Sequence, residues 1–281
     1  MTGFINVNKA CGASSAKEVS VIKRLTGMPC GHMGTLDPMA DGVLPVAIGN
    51  AARLFDYFLD KKKKYLATFK FGCDSDTLDT TGNVENNVGH IPTAEQIREV
   101  LSEFVGEIMQ IPPKYSAKNI DGKRGYELAR AGVEFDIPPK KVTIYSVELK
   151  ENISDDSYTF EIECGGGTYI RSIARDLGKR LSTCAIMSAL TRTQSGVFTL
   201  GNSVCTANLT RESIEKSIIP TESVLSFDSI YPTERQAFKL FNGLSVESDK
   251  PDGIYKIYKD GFFYGLAEIK HSILKVRTKL C

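Results

Sequence analysis

Residues 157–181 read SYTFEIECGGGTYIRSIARDLGKRL, and this stretch joins the two kinds of secondary structure that the fold must combine. Apolar and polar side chains alternate over residues 157–164, which predicts a strand. Three glycines then interrupt the alternation, and apolar side chains recur with the helical period from Ile170 to Leu181. Thr168 stands where a helix N-cap is expected. The stretch therefore predicts a strand that leads directly into an amphipathic helix.

The segments on either side add more predicted strands than helices. Strands are predicted at residues 4–7, 65–72, 141–150, 254–259, 262–269 and 272–278, and helices at residues 16–25, 93–105, 126–131 and 234–241. Residues 27–49 contain Gly, Pro and Asp so densely that we expect a long, shaped loop there. Many strands with few helices between them favour an α+β fold over repeated βαβ units.

A turn-rich, polar segment at residues 201–225 indicates a domain boundary near its end. We expect a larger domain over residues 1–227 and a small β-rich domain over residues 228–281. The second domain is too short to carry catalysis alone, and its pattern is typical of a compact β appendage.

The composition excludes several classes of protein. The 281 residues are 42% hydrophobic, as in an average globular protein, and contain no apolar run of 18 residues that could cross a membrane. The first residues lack the basic and then apolar pattern of a signal peptide, so we expect a cytoplasmic protein. Seven cysteines form no CxxC pair and only three histidines are present. The sequence therefore predicts no disulfide framework, no zinc knuckle and no His-rich metal site.

Charge is balanced overall but uneven along the chain. The net charge is +1, yet residues 61–64 are four consecutive lysines, and residues 171–192 hold five basic side chains against one acidic. Local basic patches on a neutral protein can follow a phosphate backbone. An ordinary solvated lysine surface remains the competing interpretation of each patch.

The first segment that could carry chemistry is GHMGTLDPMADGVL, residues 31–44. Two glycines precede a Thr-Leu-Asp-Pro corner, and Pro38 pushes Asp37 toward an extended backbone. A carboxylate held in such a corner can act as a nucleophile or a base. On composition alone an Asx turn, in which Asp37 only accepts bonds from nearby backbone, is the favoured interpretation.

Two further segments carry weaker signals. Glycines before a helix can bind an anion, but residues 165–178 lack a Walker lysine and the spacing of a dinucleotide site. Arg171, one turn into that helix, could pair with a buried carboxylate or form a surface ion pair. Residues 74–79, DSDTLD, fail the calcium-loop pattern because Asp79 stands where glycine is needed, so we expect a solvated turn.

Taken in order, the segments resemble those of the TruB family of tRNA pseudouridine synthases. The matching segments are GHMGTLDPMADGVLPVAIGNAA, then Lys-Tyr at the start of a strand, then IPPKYSAKNIDGKRGYELARA, then GTYIRSIARDLG. The resemblance covers nearly the whole chain. It departs from the family at residues 9–12, Lys-Ala-Cys-Gly, where the family often has Lys-Pro-x-Gly, and at Ala52, where the family usually has Arg or Thr.

The resemblance implies a catalytic domain built around a mixed, largely antiparallel sheet, with a C-terminal PUA-like domain. It implies isomerisation of uridine 55 in the T loop of tRNA, without a cofactor, a metal or a protein partner, by a monomer. Residues 111–131 would be an insertion that grips RNA. The catalytic residues would be Asp37, Arg171 and Tyr65, and the substrate-binding residues would be His32, Tyr169, Leu190, Lys9, Lys64 and Lys118.

Several alternatives stay open at this stage. A carboxylate at position 37 could attack C1′ of the nucleotide or C6 of the base, or it could remove a C2′ proton. The guide-dependent pseudouridine synthases share the Asp and Arg motifs, although this chain is short and lacks basic tails. A catalytically silent RNA-binding module would also fit the basic patches.

Overall fold

The structure is a computed structural model that describes residues 2–280 apart from 60, 61, 88, 117, 118 and 121. The helices are α1 (Ser15–Thr26), α2 (Asp56–Leu59), α3 (Ala94–Leu101), α4 (Gly125–Arg130), α5 (Ile170–Arg180) and α6 (Glu234–Phe241). The strands are β1 (Gly3–Lys9), β2 (Cys30–His32), β3 (Asp41–Ile48), β4 (Lys63–Phe71), β5 (Cys73–Ser75), β6 (Val84–Asn86), β7 (Gly106–Gln110), β8 (Asn119–Ile120), β9 (Lys123–Arg124), β10 (Lys140–Ser154), β11 (Ser157–Cys164), β12 (Ala185–Ser195), β13 (Phe198–Thr199), β14 (Ser229–Ile230), β15 (Val246–Glu247), β16 (Gly253–Lys259), β17 (Phe262–Lys270) and β18 (Ile273–Lys279).

The main sheet has nine strands in the order β1-β3-β12-β4-β11-β10-β7, with β2 paired to β3 and β13 paired to β12. In the described part of the chain, β3 and β12 pair in parallel and the other pairs of this sheet are antiparallel. The expected α+β fold with a mixed, largely antiparallel sheet is therefore confirmed. Helices α1, α3 and α5 contribute apolar side chains to one core cluster with β4 and β12.

Local sequence signals locate several helix ends. The Ser14 side chain accepts a hydrogen bond from the Lys17 amide at the start of α1, and Gly27 ends the helix at φ 68°. A Thr93–Gln96 capping box starts α3.

The expected cap of α5 is wrong. The N-cap of α5 is Tyr169, and the hydroxyl of Thr168 donates to the carbonyl of Gly165 at 3.0 Å. The Thr168 hydroxyl bonds within the glycine turn, and the N-cap residue Tyr169 makes no side-chain hydrogen bond to the helix amides.

Residues 27–49 do not form one long loop. They contain β2 and β3, separated by a tight loop, and β3 is almost fully buried. Pro45 is tolerated inside β3 because it lies between the part of the strand paired with β12 and the part paired with β2. The carbonyl of Pro45 accepts a hydrogen bond from the Met33 amide at 2.8 Å.

A second sheet of five strands, in the order β14-β16-β17-β18-β15, forms a β-rich C-terminal region. An apolar cluster, here called the linking cluster, joins this region to the main sheet. Its buried members are Phe4, Met33, Val43, Ala47, Ala51, Leu54, Phe58, Phe198, Val224, Leu225, Leu266 and Leu280. Among the described residues, no helix is long and apolar enough to span a membrane.

Candidate active site

Asp37 lies in the loop between β2 and β3, and the neighbouring residues on both sides of it are anchored. The Ser15 hydroxyl bonds the amide and the carbonyl of Leu36 at 3.0 and 2.9 Å. The carbonyl of Pro38 accepts from the Gly12 amide at 2.8 Å. The carboxylate of Asp37 remains partly accessible, with 36% of its side chain exposed. The loop thus holds a carboxylate at the surface of the core.

Lys9 contacts this loop from the interior of the protein. Its side chain is fully buried, and its ammonium donates to the carbonyls of Ala10, Ala13 and Pro38 at 3.0, 2.7 and 3.3 Å. Burial lowers the pKa of this ammonium. Because Lys9 has no exposed surface, its placement favours support of the Asp37 loop over direct contact with RNA.

Arg171 of α5 connects the Asp37 loop to two other segments. Its guanidinium contacts the carboxylate of Asp37 at 2.9 Å and that of Asp79 at 3.3 Å. It also donates to the carbonyls of Thr77 and Tyr115, both at 3.1 Å. Only 7% of the Arg171 side chain is exposed. A planar guanidinium suits this arrangement because its donors point in several fixed directions at once.

The segment at residues 74–79 is not simply a solvated turn, so that expectation is wrong for part of it. Asp79 is 2% exposed, and its carboxylate accepts from the Thr77 hydroxyl and from the amide and hydroxyl of Thr81 at 2.5–2.9 Å. Its second oxygen faces Arg171. A buried carboxylate needs such partners. Sequence reasoning missed this pairing because the partner lies almost a hundred residues away.

Tyr65 and Leu190 form an apolar wall on adjacent strands. Tyr65 of β4 pairs with Arg192 of β12, and Ala67 pairs with Leu190. Tyr65 and Leu190 are both 7% exposed. Burial raises the pKa of the Tyr65 phenol, and a smaller part of the rise comes from the negative charge of Asp37. The wall therefore lies within the electrostatic influence of Asp37.

Tyr169 is fixed through its backbone. The buried amide of Gln110, at the end of β7, accepts from the Tyr169 N–H at 2.8 Å and donates to its carbonyl at 3.1 Å. Burial raises the pKa of the Tyr169 phenol, and Asp37 adds to the rise. Gln110 was not singled out from the sequence, because a single glutamine before a loop carries no pattern.

His32 ends β2 and is half-buried. Burial lowers the pKa of its imidazole, and the positive charge of Arg192 lowers it further. A neutral ring at this position is easier to place among nucleotide bases than a charged one, because its desolvation is less unfavourable.

Lys64, one of the lysines expected to bind substrate, lies apart from the wall. Lys64 and Tyr65 lie on opposite faces of β4, because adjacent residues of a strand point to opposite sides. Its ammonium lies 3.2 Å from the carboxylate of Glu163. Lys118 and Lys61 lie outside the described residues.

The described residues contain no group of three or more His, Cys, Asp or Glu side chains arranged to hold a metal ion. The arrangement that the structure does contain is a partly exposed carboxylate, held by a buried arginine, next to an aromatic and aliphatic wall. Such a carboxylate can attack an electrophilic carbon or remove a proton from a planar group bound against the wall.

Comparison with known proteins identifies the family. Residues 23–170 match the family model described as TruB family pseudouridylate synthase (N terminal domain). A protein of Clostridium perfringens (strain 13 / Type A) named tRNA pseudouridine synthase B is 40% identical over 280 residues, which cover 95% of both chains. A protein of the same name from Borrelia garinii subsp. bavariensis is 39% identical over 259 residues, which cover 92% of this chain and 90% of that one.

A solved structure gives the same result for the fold. A chain in the crystal structure of a Cbf5-Nop10-Gar1 complex matches with a TM-score of 0.74 at 25% identity, over 99% of this chain and 85% of that chain. The matches to the family model and to the relatives extend over the loop that carries Asp37 and the strand that carries Tyr65. The resemblance found in the sequence is confirmed, and the chain belongs to the TruB family of pseudouridylate synthases.

Proposed function

We propose that this chain converts uridine 55 in the T loop of tRNA to pseudouridine, with Asp37 as the reacting group. The observation that carries the proposal is the 2.9 Å ion pair between Arg171 and Asp37 beside the wall that contains Tyr65. The relatives named tRNA pseudouridine synthase B support tRNA as the substrate.

The reaction rearranges one nucleotide and exchanges no group with a second molecule apart from protons. The C1′–N1 bond breaks, the uracil turns, and a C1′–C5 bond forms. C5 then loses its proton to solvent, and N1 takes one up. Asp37 can take part by attack at C1′, by attack at C6 or by removal of the C2′ proton, and each route needs the carboxylate ionised. The Arg171 guanidinium places a positive charge 2.9 Å from that carboxylate.

The detached uracil must stay in place while it turns. Tyr65 would stack on its face, and Leu190 and Tyr169 would complete the pocket. Stacking on an aromatic side chain contributes roughly 1–3 kcal/mol per base. The low exposure of Tyr65 and Leu190 keeps water away from the intermediate.

Uridine in a folded loop must be flipped out to reach Asp37, and this costs a few kcal/mol. His32 would enter the space that the base leaves. Contacts to phosphates would offset the cost, from the insertion at residues 111–131, from Lys64 and Lys118, and from a PUA-like domain at residues 228–281. We propose that the chain acts as a monomer and without a protein partner.

The test uses the purified chain alone and tRNA labelled with tritium at uracil C5. We expect stoichiometric release of tritium, because formation of the C1′–C5 bond removes that hydrogen. A matched tRNA with cytidine at position 55 should release none. Absence of release from the first tRNA, equal release from the second, or release only when a guide RNA is added would each contradict the proposal.

A further inference from the structure

Arg192 is a buried cation that the function proposed above leaves unused. It lies in β12, the strand between β3 and β4, and only 2% of the residue is exposed. Its guanidinium donates to the carbonyls of Val43, Gly34 and Thr35 at 2.7, 3.0 and 3.4 Å. A buried charge is unfavourable unless its donors are satisfied, so these three carbonyls fix the guanidinium in one orientation.

These three carbonyls bracket Asp37 along the chain. Gly34 and Thr35 precede it by three and two residues, and Val43 follows it by six. One side chain therefore closes the loop at both ends. A short crosslink of this kind restricts the positions that Asp37 can take relative to the sheet.

The backbone of Arg192 constrains the same loop. Arg192 and Gly42 are partners in the parallel pairing of β12 and β3. A Cβ atom at Gly42 would lie 2.3 Å from the carbonyl oxygen of Arg192, which is closer than side chains approach backbone. The strand and the loop thus meet at a contact that only glycine permits.

Arg192 also faces the wall of the site. It is the cross-strand partner of Tyr65, and its charge and hydrogen bond oppose the effect of burial on the pKa of the Tyr65 phenol. Its charge acts on His32 as well. The charge of one guanidinium therefore acts on Tyr65 and His32, while its donors bond the loop that carries Asp37.

The burial of Arg192 argues against two simpler roles, contact with an RNA phosphate and filling of the core. A side chain that is 2% exposed cannot reach a phosphate of the bound RNA without a rearrangement. A residue needed only to fill the core would be apolar, because an apolar side chain requires no hydrogen-bond partners.

We propose that Arg192 is a positioning residue, whose guanidinium holds the residue 34–43 loop so that Asp37 faces the base stacked on Tyr65. This inference rests on the proposed function. Its effect should appear in the rate of the chemical step, because a displacement of about 1 Å in a reacting group can lower a rate on the order of a hundredfold.

The test compares Arg192→Lys and Arg192→Met with the parent chain. Lysine keeps the charge but lacks the planar fork that joins Gly34 to Val43. We expect both variants to unfold cooperatively, to bind tRNA within about threefold of the parent, and to release tritium at least about thirtyfold more slowly in single turnover. Arg180→Lys is the control, since Arg180 forms an exposed ion pair with Glu103, and it should stay within about threefold.

A second readout, the NMR titration of His32, needs no activity. The pKa of His32 should rise in Arg192→Met, where the neighbouring charge is removed, and stay near the parent value in Arg192→Lys. A purely structural defect would not separate the two variants in this way.

Three results would overturn the positioning role: a parent-like rate in Arg192→Lys, a defect confined to tRNA affinity, or loss of cooperative unfolding in both variants. The last would show that the residue is needed for the fold itself. If the parent chain releases no tritium, the proposed function fails and the inference fails with it. If the parent is active, the rates of the variants test the positioning role separately from the proposed function.

Discussion

Arg171 joins two carboxylates of very different exposure. The Asp79 side chain is 3% exposed and that of Asp37 is 36% exposed. The buried carboxylate has no alternative partner in water, so it fixes the guanidinium. The guanidinium then presents its remaining donors to the carboxylate that solvent and substrate can reach.

Asp37→Asn should abolish turnover while leaving the fold and tRNA affinity nearly unchanged. Asparagine has the same shape but cannot act as a nucleophile or an ionised base. We expect the single-turnover rate to fall by at least about 10³-fold, measured as tritium release, and tRNA binding to change less than about threefold. Asp74→Asn, an exposed aspartate outside the site, is the control. A rate within tenfold of the parent would refute the catalytic role.

Arg171→Lys tests how Arg171 acts. Lysine keeps the charge, but one ammonium cannot contact both carboxylates and both carbonyls. We expect a loss of about 10²-fold in the single-turnover rate, with little change in affinity. If Arg171 instead contacts phosphate, lysine should substitute well, and any remaining defect will appear as weaker binding that is sensitive to salt.

The pKa of His32 predicts how the stability of the folded chain depends on pH. Its pKa in the folded chain lies below the ordinary value of 6.5, because burial and Arg192 disfavour the charged form. Between the folded pKa and 6.5 the unfolded chain therefore binds more protons than the folded chain. The stability due to neutral His32 is fully present above pH 6.5 and is lost as the pH falls through that window.

The measurement is the urea midpoint at several pH values between 7 and 5. We expect the parent to lose more stability over this range than His32→Gln, whose side chain does not titrate. Equal losses in both chains, or an NMR titration of His32 with a midpoint at or above 6.5, would contradict the prediction.

At the scale of elements, the start of β3 meets β12 at one close backbone contact. Gly42 has φ +94° and lies against the Arg192 carbonyl, whereas Gly12 has φ +82° and no atom within 4 Å of the point that a Cβ would occupy. A substitution at Gly12 therefore tests the cost of the positive φ alone, whereas a substitution at Gly42 tests that cost together with the clash against the Arg192 carbonyl.

Gly12→Ala should lower the free energy of unfolding by about 1–2 kcal/mol, which is the cost of a left-handed conformation for alanine. Gly42→Ala should lower it by at least about 2 kcal/mol more, because backbone must move, and it should also slow turnover. Urea unfolding and tritium release measure the two effects. Equal destabilisation of the two variants would show that the contact with Arg192 is unimportant.

The sequence predicts those elements whose signals are local. The caps at Ser14 and Thr93 and the helix at residues 234–241 are confirmed, because each depends on neighbours within one turn. Strand β12 is not predicted, since its position between β3 and β4 buries both faces in part and removes the alternating pattern. Strands β2 and β3 lie where a loop is expected, because their pairing, not their composition, makes them strands.

In the candidate site, too, local sequence motifs are predictable and contacts between distant residues are not. The motif residues could be named from their order along the chain, and their roles remain predictions. The supporting residues Asp79, Gln110 and Arg192 could not be found in this way. Each acts through contacts between residues that are distant in sequence, and the chemistry of its side chain does not indicate which backbone atoms it will meet.

At the scale of the whole molecule, the linking cluster connects the C-terminal sheet to the site. Met33 and Val43 belong to it, and Met33 follows His32 directly while the Val43 carbonyl accepts from Arg192. Leu266 and Leu280 supply the other side of the cluster. The Arg53 guanidinium adds a hydrogen bond to the Lys279 carbonyl at 2.9 Å.

Leu266→Ala should therefore destabilise more than the C-terminal region. Leu266 is fully buried, and removing such a side chain costs about 2–5 kcal/mol. We expect this loss in urea unfolding monitored on the main sheet, for example through the NMR signal of His32. Leu244→Ala, at an exposed leucine, should change stability by less than about 0.5 kcal/mol. A main-sheet signal that does not respond to Leu266→Ala would contradict the connection.

The linking cluster has a consequence for how the protein is made. Phe4 is among the first residues to be synthesised, yet its buried partners include Leu266 and Leu280. At about 5–20 residues per second, on the order of 15–55 s pass between translation of the two sides of the cluster. During that interval β1 and β3 can pair while part of their apolar surface has no cover. The growing chain therefore carries an exposed apolar surface next to the loop that holds Asp37 until residue 280 is synthesised. Misfolding or capture by a chaperone would act on the candidate site during this period.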